Sequence, residues 1–334
     1  MKESYNFLIL AKQYLLRFTK YYFSHLVCLL KIKTNNIANN SKKNHQIFIN
    51  MVKENQLSRE NINTYNLIKK NKFYTELIKM NVDEKFFNNL EAIILFIGYS
   101  RSGHSLVGSL LDAHPEILIS HELHFMKHLL SGVTAKTIAE SMAINSAIFN
   151  KNGREYTGYD YSIDGQYQGK VKRLRVLGDK KGNGTIRIIR RYPEALSLLE
   201  KFDVPVKFIH VIRNPYDNIA TRAKRNNTSL RFAAKGYFTN MEVITRITQN
   251  TTFEIQHVLL EDLIYKPEAT LNNLITNLDL ERPTEDYINA CKKRLFSKPK
   301  ETRFDYSWDP MLVNFISEKI KHYEFLIKFQ HRPF

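Results

Sequence analysis

Two glycines with a cation between them mark the stretch of this 334-residue chain that is best suited to chemistry. Gly98 and Gly103 are separated by four residues, follow an apolar run at residues 92–97 and precede a helical pattern. The first amides of a helix have no partner within the helix and lie at its positive dipole end, so this pattern is typical of an anion-binding turn. Arg101 adds a planar guanidinium that suits oxyanions. The stretch predicts an anion-binding loop, and the alternative is an ordinary turn between a strand and a helix.

Further groups of the same loop are candidate ligands. Ser102 and Ser105 offer hydroxyl groups, and Gly103 lets the backbone approach a ligand closely. The glycine spacing is that of a Walker A loop, but His104 stands where an ATP-splitting enzyme has the lysine that contacts the β- and γ-phosphates. The loop is therefore expected to hold its anion with amides, hydroxyls and Arg101 rather than with a loop lysine.

A second candidate anion site follows another buried strand, predicted at residues 206–212. That strand ends in Arg213, and Asn214-Pro215 then starts a helix with asparagine as the cap and proline in the first turn. A Walker B strand would end in an acid that holds Mg²⁺, whereas this one ends in a cation. Ligands of open α/β sheets bind at the carboxyl ends of the strands, so Arg213 is expected on the same edge as the first loop. Two anion sites on one edge suit a nucleotide with phosphates at both ends of its ribose.

Strands and helices alternate from about residue 91 onward. This alternation predicts an α/β fold, a P-loop-type three-layer sandwich with a mainly parallel sheet. Residues 153–170 lack a period and predict a loop. The predicted strands span residues 92–97, 117–120, 175–177, 206–212 and 253–259. The first predicted helix runs from the glycine loop through residue 111, and another begins at residue 214. The other predicted helices span residues 122–148, 193–202, 229–248, 268–278, 285–296 and 311–328.

The chain divides by composition into a basic N-terminal extension, residues 1–90, and a domain over residues 91–330. Residues 1–30 are apolar and aromatic but interrupted by basic residues, which predicts an amphipathic helix that lies on a membrane or on the domain. A degenerate membrane anchor is the alternative, although the longest uncharged stretch falls short of the ~20 residues that span a bilayer. No signal-peptide pattern is visible. Residues 33–64 are polar and predict a linker. The localisation stays open between the cytoplasm and a membrane-associated compartment such as the Golgi.

The net charge of +17 is shared between both parts of the chain. Residues 1–90 hold fifteen lysines and arginines against six acids, so about half of the excess lies outside the domain. The rest suits an anionic cofactor and an anionic substrate, or reflects a composition rich in lysine and asparagine throughout. No nucleic-acid-binding motif accompanies the charge, so nucleic acid is not an expected partner. Cys28 and Cys291 lack metal-ligand spacing, so neither a zinc site nor a disulfide framework is expected.

The two candidate anion sites resemble those of a known family. Residues 99–106 look like the loop that binds the 5′-phosphosulfate of 3′-phosphoadenosine 5′-phosphosulfate (PAPS) in sulfotransferases. Arg213 with Thr221 eight positions later is similar to their 3′-phosphate motif, in which serine is usual at the second position. The resemblance extends over residues 91–330. It is closer to the Golgi carbohydrate type than to the cytosolic type of sulfotransferase. The C-terminal Arg-Lys-Gly loop of the cytosolic enzymes does not occur in this sequence in the form that they have. Three further segments resemble family motifs: residues 177–181 with Gly-Asp-Lys, residues 259–271, and Thr302-Arg303 with Trp308.

The resemblance implies that the chain transfers a sulfuryl group from PAPS to a hydroxyl or amine of an acceptor, such as a glycan or a small molecule, without a metal. Arg101 would also stabilise charge that grows on the bridging oxygen, which makes it a catalytic candidate. His104 either fills its position or contacts the sulfate. The implied cofactor-binding residues are Arg101, Ser102, Gly103, His104, Ser105, Arg213, Thr221 and Arg303.

A general base must take the proton of the acceptor. Glu122 follows the second short strand, and its position resembles that of the catalytic glutamate of Golgi-type carbohydrate sulfotransferases. His121 and His124 compete for this role, and Glu122 could instead be a favourable acid at a helix start. Lys180 and Lys181 either meet the donor or an anionic acceptor, or are solvated loop residues.

Two other functions stay open from the sequence. A P-loop nucleotide kinase or NTPase would share the glycine spacing, but His104 stands in place of its lysine and Arg213 in place of its acid. A non-catalytic protein that binds PAPS or a glycan is favoured if Glu122 proves dispensable.

Overall fold

The computed structural model describes residues 84–130, 135–200, 202–250 and 252–330. The amphipathic helix expected within residues 1–30 and the linker expected at 33–64 lie outside the described residues, and the membrane contact stays a prediction. No helix within the described part of the chain is long and apolar enough to cross a bilayer.

Five parallel strands form the central sheet, and a two-stranded antiparallel hairpin lies apart from it. The order of the sheet is β2-β5-β1-β6-β7, so β1 lies at its centre and Ile93 pairs with Leu177 of β5 and Val206 of β6. The strands are β1 (Ala92–Ile97), β2 (Ile117–Ser120), β3 (Glu155–Tyr156), β4 (Tyr159–Asp160), β5 (Val176–Asp179), β6 (Val206–Ile212) and β7 (Ile255–Leu259).

Helices cover both faces of the sheet. Alternate residues of β1 enter two separate apolar clusters, with Ile93 and Leu95 in one and Ile94 and Phe96 in the other. Burial on both faces explains why β1 is a continuous apolar run rather than an alternating one. Within the described residues the helices are α1 (His104–Asp112), α2 (Phe125–Leu130), α3 (Ala135–Lys151), α4 (Gly182–Arg191), α5 (Ala195–Leu199), α6 (Pro215–Asn226), α7 (Leu230–Gln249), α8 (Leu260–Tyr265), α9 (Pro267–Thr276), α10 (Glu285–Arg294) and α11 (Pro310–Ile320), with 3₁₀ turns at Glu84–Phe87, Thr302–Asp305 and Glu324–Phe329.

The predicted α/β class with its parallel sheet is confirmed, and several element predictions are corrected. The single helix expected over residues 122–148 is wrong, because residues 121–124 form a loop and two separate helices, α2 and α3, follow. Glu122 and His124 both adopt positive φ values, 60° and 69°, which a right-handed helix excludes. Residues 153–170 are not wholly loop, since they contain the β3–β4 hairpin, and the helix expected over 311–328 ends at residue 320. Helices α4 and α8 were not predicted.

A buried ion pair fixes the β3–β4 hairpin to the domain. Arg154, which precedes β3, donates to the carboxylate of Asp112 at the end of α1 over 2.7 Å. The same carboxylate accepts hydrogen bonds from the backbone of Ile119 and Gly169 and from the hydroxyl of Ser146, at 2.6–3.0 Å. A buried charge with this many partners holds its surroundings firmly, so the hairpin is anchored where it lines the cleft described below.

Candidate functional site

The loop between β1 and α1 has the backbone of a tight anion-binding turn. Gly98 and Gly103 have φ values of 134° and 105°, which side-chain-bearing residues rarely adopt. A Cβ on Gly98 would also lie 2.8 Å from Nε2 of His104 and 3.1 Å from the carbonyl oxygen of Val211. Arg101 has a φ of 76°, and strain of this kind is found at ligand sites. Both glycines are therefore required by the turn.

The two serines of the loop have different environments. Ser102 is buried, and its Oγ donates to the carbonyl of Tyr99 over 2.8 Å and accepts from Nδ2 of Asn218 over 2.6 Å. Ser105 lies in the lining of a cleft, and its Oγ accepts a hydrogen bond from Nζ of Lys180 at 3.0 Å. The hydroxyl of Ser102 thus braces the turn from inside, while that of Ser105 faces the space a ligand would enter.

His104 fills the space beneath the loop. Its side chain is only 8% exposed, and its Nε2 donates to the carbonyl of Ile97 over 3.0 Å. Burial lowers the pKa of His104 to about 4, so the ring is uncharged at neutral pH. The first residue of α4, Gly182, packs directly on this ring, since a Cβ there would lie 2.5 Å from Nε2. His104 therefore does not supply the charge of the lysine that it replaces in the motif.

Lys180 brings a cation to the loop from the neighbouring strand. It follows β5 and is only 3% exposed. Its Nζ lies 3.0 Å from Oγ of Ser105 and 3.0 Å from Oε1 of Glu122, and 4.9 Å above the ring of Tyr156. Burial lowers the pKa of Lys180, and the charge of Glu122 opposes that shift. One ammonium group thus contacts both the anion loop and the candidate base.

Glu122 is held between two lysines. Lys180 pairs with its Oε1, and Lys181 pairs with its Oε2. Burial alone raises the pKa of Glu122, but the two lysine charges outweigh burial and keep that pKa well below its usual range. The alternative in which Glu122 begins a helix is wrong, because α2 starts only at Phe125 and has no acid in its first turn.

The two histidines beside Glu122 are uncharged at neutral pH. His121 stacks on Phe149 with ring centroids 3.8 Å apart, and its Nε2 lies 3.4 Å from Nζ of Lys180. Burial, and then the charge of Lys180, keeps the pKa of His121 well below its usual range. Burial, and then Lys181, does the same for His124. Either ring could accept a proton, so the competition for the role of base stays open.

Asp179, the last residue of β5, positions the loop that carries Glu122. Its buried carboxylate accepts hydrogen bonds from the hydroxyl of Ser120 at 2.9 Å and from the backbone amides of Leu123 and Phe125 at 2.9 and 2.8 Å. Burial raises the pKa of Asp179, and these hydrogen bonds oppose the shift. The motif Gly-Asp-Lys thus joins a positioning carboxylate to a cation that faces the cleft.

Arg213 forms the second polar cluster, at the end of β6. Its Nη1 donates to Oγ1 of Thr221 at 3.0 Å, and its Nη2 donates to Oγ1 of Thr302 at 2.9 Å and to the carbonyl of Lys300. Its Nη1 also lies 3.4 Å from the carbonyl oxygen of Arg101, so this cluster adjoins the loop. The predicted cap of the following helix is confirmed, because the side chain of Asn214 accepts from the first backbone amides of α6.

Arg303 lies in a different environment from Arg213. Its Nη1 pairs with Asp217 at 2.5 Å and its Nη2 pairs with Glu301 at 2.5 Å, and its backbone amide also donates to Asp217. These contacts fix the Thr302–Asp305 turn to α6. Neighbouring Thr302 faces the cleft instead. The cofactor contact expected of Arg303 stays a prediction.

One cleft of about 970 Å³ contains both clusters, at the carboxyl edge of the sheet. Eleven lysines and arginines line it among the described residues, against two acids, Glu122 and Asp160. This balance suits an anionic ligand. The described residues include no group of three or more His, Cys, Asp or Glu side chains able to hold a metal ion. Of the residues singled out from the sequence, Arg101, Gly103, His104, Ser105, Glu122, His124, Lys180, Lys181, Arg213 and Thr221 line the cleft, whereas Ser102, His121 and Arg303 do not.

Fold and site together define an α/β protein with a glycine-bounded anion loop and a basic cleft at the edge of a parallel sheet. No protein-family model matches the chain, and no curated protein matches its sequence. Among solved structures the chain is similar to the sulfotransferase domain of the Synechococcus PCC 7002 olefin synthase, with 18% identity and a TM-score of 0.36 over 68% of this chain and 83% of that one. It is also similar to the mouse sulfotransferase SULT7A1 complexed with PAP, with 9% identity and a TM-score of 0.39 over 70% of this chain and 84% of that one.

Proposed function

We propose that this chain is a PAPS-dependent sulfotransferase that sulfates a hydroxyl or amine of an acceptor. The observation that carries the proposal is the pair of anion-binding clusters within one cleft. The first is the loop with Lys180, and the second joins Arg213, Thr221 and Thr302. A donor with a phosphosulfate at the 5′ end and a phosphate at the 3′ end of one ribose needs two such clusters on one sheet edge.

The residues of both clusters fit such a donor. Nε of Arg213 is buried and has no hydrogen-bond partner within the described residues, so this guanidinium still has a donor to offer. An unsatisfied buried donor is costly unless a ligand or water pairs with it. At the other cluster, the glycine backbone of the loop leaves room for close approach, and Lys180 adds the positive charge. Thr221 keeps the hydroxyl that the 3′-phosphate motif requires.

Glu122 is the proposed base and Lys180 the proposed electrostatic catalyst. When bound, PAPS supplies the sulfuryl group, whose bond to the phosphate oxygen breaks as a bond to the acceptor oxygen or nitrogen forms. Glu122 takes the proton that the acceptor loses. Lys180 and Arg101 stabilise the charge that grows near the loop, which typically contributes 10²–10³-fold per donor, or about 3 kcal/mol.

The lysine pair also regulates the basicity of Glu122. A carboxylate with an ammonium group on each oxygen is a poor base, and the low pKa of Glu122 reflects this. An anion in the loop competes with Glu122 for Lys180, because the same Nζ reaches both. Loss of one of its two cationic partners raises the proton affinity of Glu122. The proposed base is a glutamate, Glu122, and its position resembles that of the catalytic glutamate of Golgi-type carbohydrate sulfotransferases. This favours a carbohydrate-type enzyme over a cytosolic one.

A nucleotide kinase or NTPase fits these residues less well. Lys180 could stand in for the missing loop lysine, so the absence of lysine at position 104 is not decisive by itself. The need for an acidic Mg²⁺ ligand separates a kinase or NTPase from the proposed sulfotransferase more clearly. Arg213 directly follows β6, and the acid at the end of β5, Asp179, is fully buried and already accepts three hydrogen bonds.

Calorimetry with adenosine 3′,5′-bisphosphate (PAP) and with ATP, each with and without Mg²⁺, tests the proposal. We expect PAP to bind far more tightly than ATP and without Mg²⁺. Transfer of label from PAPS should follow when glycans and small hydroxyl compounds are screened as acceptors. Binding of ATP that requires Mg²⁺, with no binding of PAP, would overturn the sulfotransferase assignment in favour of the kinase. Thr302→Val removes the hydroxyl that contacts Arg213 but keeps the shape of the side chain. It should weaken PAP binding, which checks that PAP occupies the Arg213 cluster.

A further inference from the structure

The cleft holds more positive charge than its two anion clusters use. Arg187 of α4 and Arg222 and Arg225 of α6 line it, and none of the three forms an ion pair with a carboxylate of the described residues. Both acids of the cleft are already paired, since Glu122 binds two lysines and Asp160 lies 3.3 Å from Arg294. We call these three side chains the arginine rim.

The arginine rim extends from the side of the candidate base to the anion loop. Gly184, one turn before Arg187 on α4, packs against Lys181 and His124, since a Cβ there would lie 2.6 Å from Cγ of the lysine and 2.8 Å from Cε1 of the histidine. Arg187 is thus on the Glu122 side. Arg222 lies 5.9 Å from the ring centroid of Tyr99, which follows Gly98 in the anion loop.

Helix α7 lies behind both parts of the arginine rim. Its Ala233 accepts a hydrogen bond from the hydroxyl of Tyr99 at 3.1 Å, and its Asn240 donates to Asn183 at the start of α4 at 2.8 Å. These contacts are seven residues apart on α7, which corresponds to about 10 Å. Because Arg187, Arg222 and Arg225 all line the same cleft, the cationic faces of α4 and α6 flank one opening.

The charges of the arginine rim act on the loop. Burial lowers the pKa of Arg101, and repulsion from Arg225 and Arg222 lowers it further. Guanidinium groups that repel one another without a carboxylate partner are destabilising, and an anionic ligand relieves that repulsion. The two anionic ends of the donor are already matched by Arg101 and Lys180 at the loop and by Arg213 at the second cluster, so we assign the charge of the arginine rim to an anion on the other substrate.

Resting on the proposed function, we infer that the acceptor is an anionic oligosaccharide whose carboxylate or sulfate groups bind Arg187, Arg222 and Arg225 beside the accepting hydroxyl. Arginine suits these groups because its planar fork matches carboxylate and sulfate oxygens in pairs. The remaining groups at this opening suit sugar hydroxyls. Thr157 brings a hydroxyl to the cleft, and the amide nitrogen of Asn183 is a donor, since its oxygen is taken by Asn240.

The test compares three ligands in the full chain with PAP bound. They are a uronic-acid-containing hexasaccharide, a neutral N-acetylglucosamine hexasaccharide, and a tyrosine peptide flanked by glutamates, and calorimetry measures their affinities at low and high salt. We expect the uronic-acid hexasaccharide to bind at least about tenfold more tightly than either other ligand, with an affinity that falls as salt rises.

Variants of the arginine rim sharpen the test. Exposed charge pairs are each worth up to ~1 kcal/mol, so Arg187→Gln with Arg225→Gln should weaken binding of the anionic hexasaccharide about 5- to 20-fold. Arg187→Gln alone, which spares the arginine that acts on Arg101, should leave PAP affinity unchanged. Arg190→Gln, on the same helix but outside the cleft, is the matched control and should change neither affinity.

Binding and transfer separate the two proposals. Equal affinity for the neutral hexasaccharide, an unchanged affinity in the double variant, or a preference for the acidic peptide would overturn the inference. Labelled PAPS then tests the function independently. Selective binding of the anionic hexasaccharide without sulfation of any acceptor would support the inference and contradict the proposed sulfotransferase activity.

Discussion

His104→Gln should remove a pH-dependent part of the free energy of unfolding. The ring of His104 is buried beneath the anion loop, and its Nε2 donates to the carbonyl of Ile97. Glutamine can place an amide donor close to the position of Nε2, so the hydrogen bond can persist while the titrating group is lost. The variant therefore isolates the protonation of this side chain from the packing of the loop.

The magnitude follows from two pKa values. His104 has an ordinary value of 6.5 when unfolded and a value of about 4 in the folded chain, because burial disfavours its charged form. The unfolded chain binds more protons between these values, so stability is fully present above pH 6.5 and is lost as pH falls towards 4. Between pH 7 and pH 5 this one group should lower the free energy of unfolding by about 2 kcal/mol.

Urea denaturation of both proteins at pH 7, 6 and 5 measures this effect as a difference. Other buried histidines also titrate, but they do so equally in both proteins and cancel. The wild type should lose about 2 kcal/mol more than His104→Gln over this range. His322→Gln is the matched control, because its ring is exposed and should not reproduce the effect. Parallel curves for wild type and His104→Gln would refute the assignment of His104 as a buried neutral ring.

The same variant decides between the two roles that the sequence left open for His104. A ring that only fills space leaves the affinity for PAPS independent of its own titration. A ring that contacts the sulfate as a cation would make PAPS bind more tightly as pH falls through its pKa, and His104→Gln would abolish that dependence. We expect the first result, since Lys180 and not His104 provides the charge at the loop.

Three further predictions concern the cleft. Glu122→Gln should not weaken PAP binding, since it frees Lys180 for the loop, but it should lower kcat by about 10²–10⁴-fold and remove the pH limb set by the base; near-normal kcat, together with its loss in His121→Asn or His124→Asn, would assign the base to a histidine. Arg213→Ala should raise KM for PAPS with little change in kcat, since a phosphate remote from the reacting group is bound equally before and in the transition state; a normal KM with a collapsed kcat in steady-state kinetics would contradict this. Asp179→Asn replaces an oxygen that accepts a hydrogen bond from a backbone amide of the Glu122 loop. It should therefore lower the free energy of unfolding by about 1–3 kcal/mol in denaturation and lower kcat more than PAP affinity. An unchanged kcat would show that this loop needs no such support.

The strands of the sheet were largely predictable from sequence, whereas one helix next to the site was not. β1, β2 and β6 have the predicted bounds, because parallel strands buried on both faces are continuous apolar runs. Helix α4 begins with Gly182 and Gly184, which are poor helix formers. Close neighbours require glycine at both positions, since a Cβ at Gly182 would collide with His104 and a Cβ at Gly184 would collide with Lys181. Close packing here overrides local propensity.

The individual parts of the candidate site were predictable from sequence, but the contact of Lys180 with both the anion loop and Glu122 was not. Four of the loop residues predicted to bind the donor reach one cleft with Arg213 and Thr221, because strand ends share an edge, which the alternation of elements already indicates. These four are Arg101, Gly103, His104 and Ser105. The order of the strands is not encoded in any local pattern. Since β5 lies between β2 and β1, Lys180 at its end meets both Ser105 and Glu122. Sequence alone left this lysine undecided between a ligand and a solvated side chain.

That strand order also couples the donor site to the base. Lys180 is the shared element, since its Nζ lies 3.0 Å from the loop hydroxyl of Ser105 and 3.0 Å from the carboxylate of Glu122. Any anion that draws Lys180 towards the loop raises the proton affinity of Glu122, and linkage makes the effect reciprocal. Protonation of Glu122 must then strengthen anion binding at the loop, because Lys180 loses its competing partner. With Lys181 still on the other oxygen, the base gains proton affinity in the proposed enzyme only when the donor is in place.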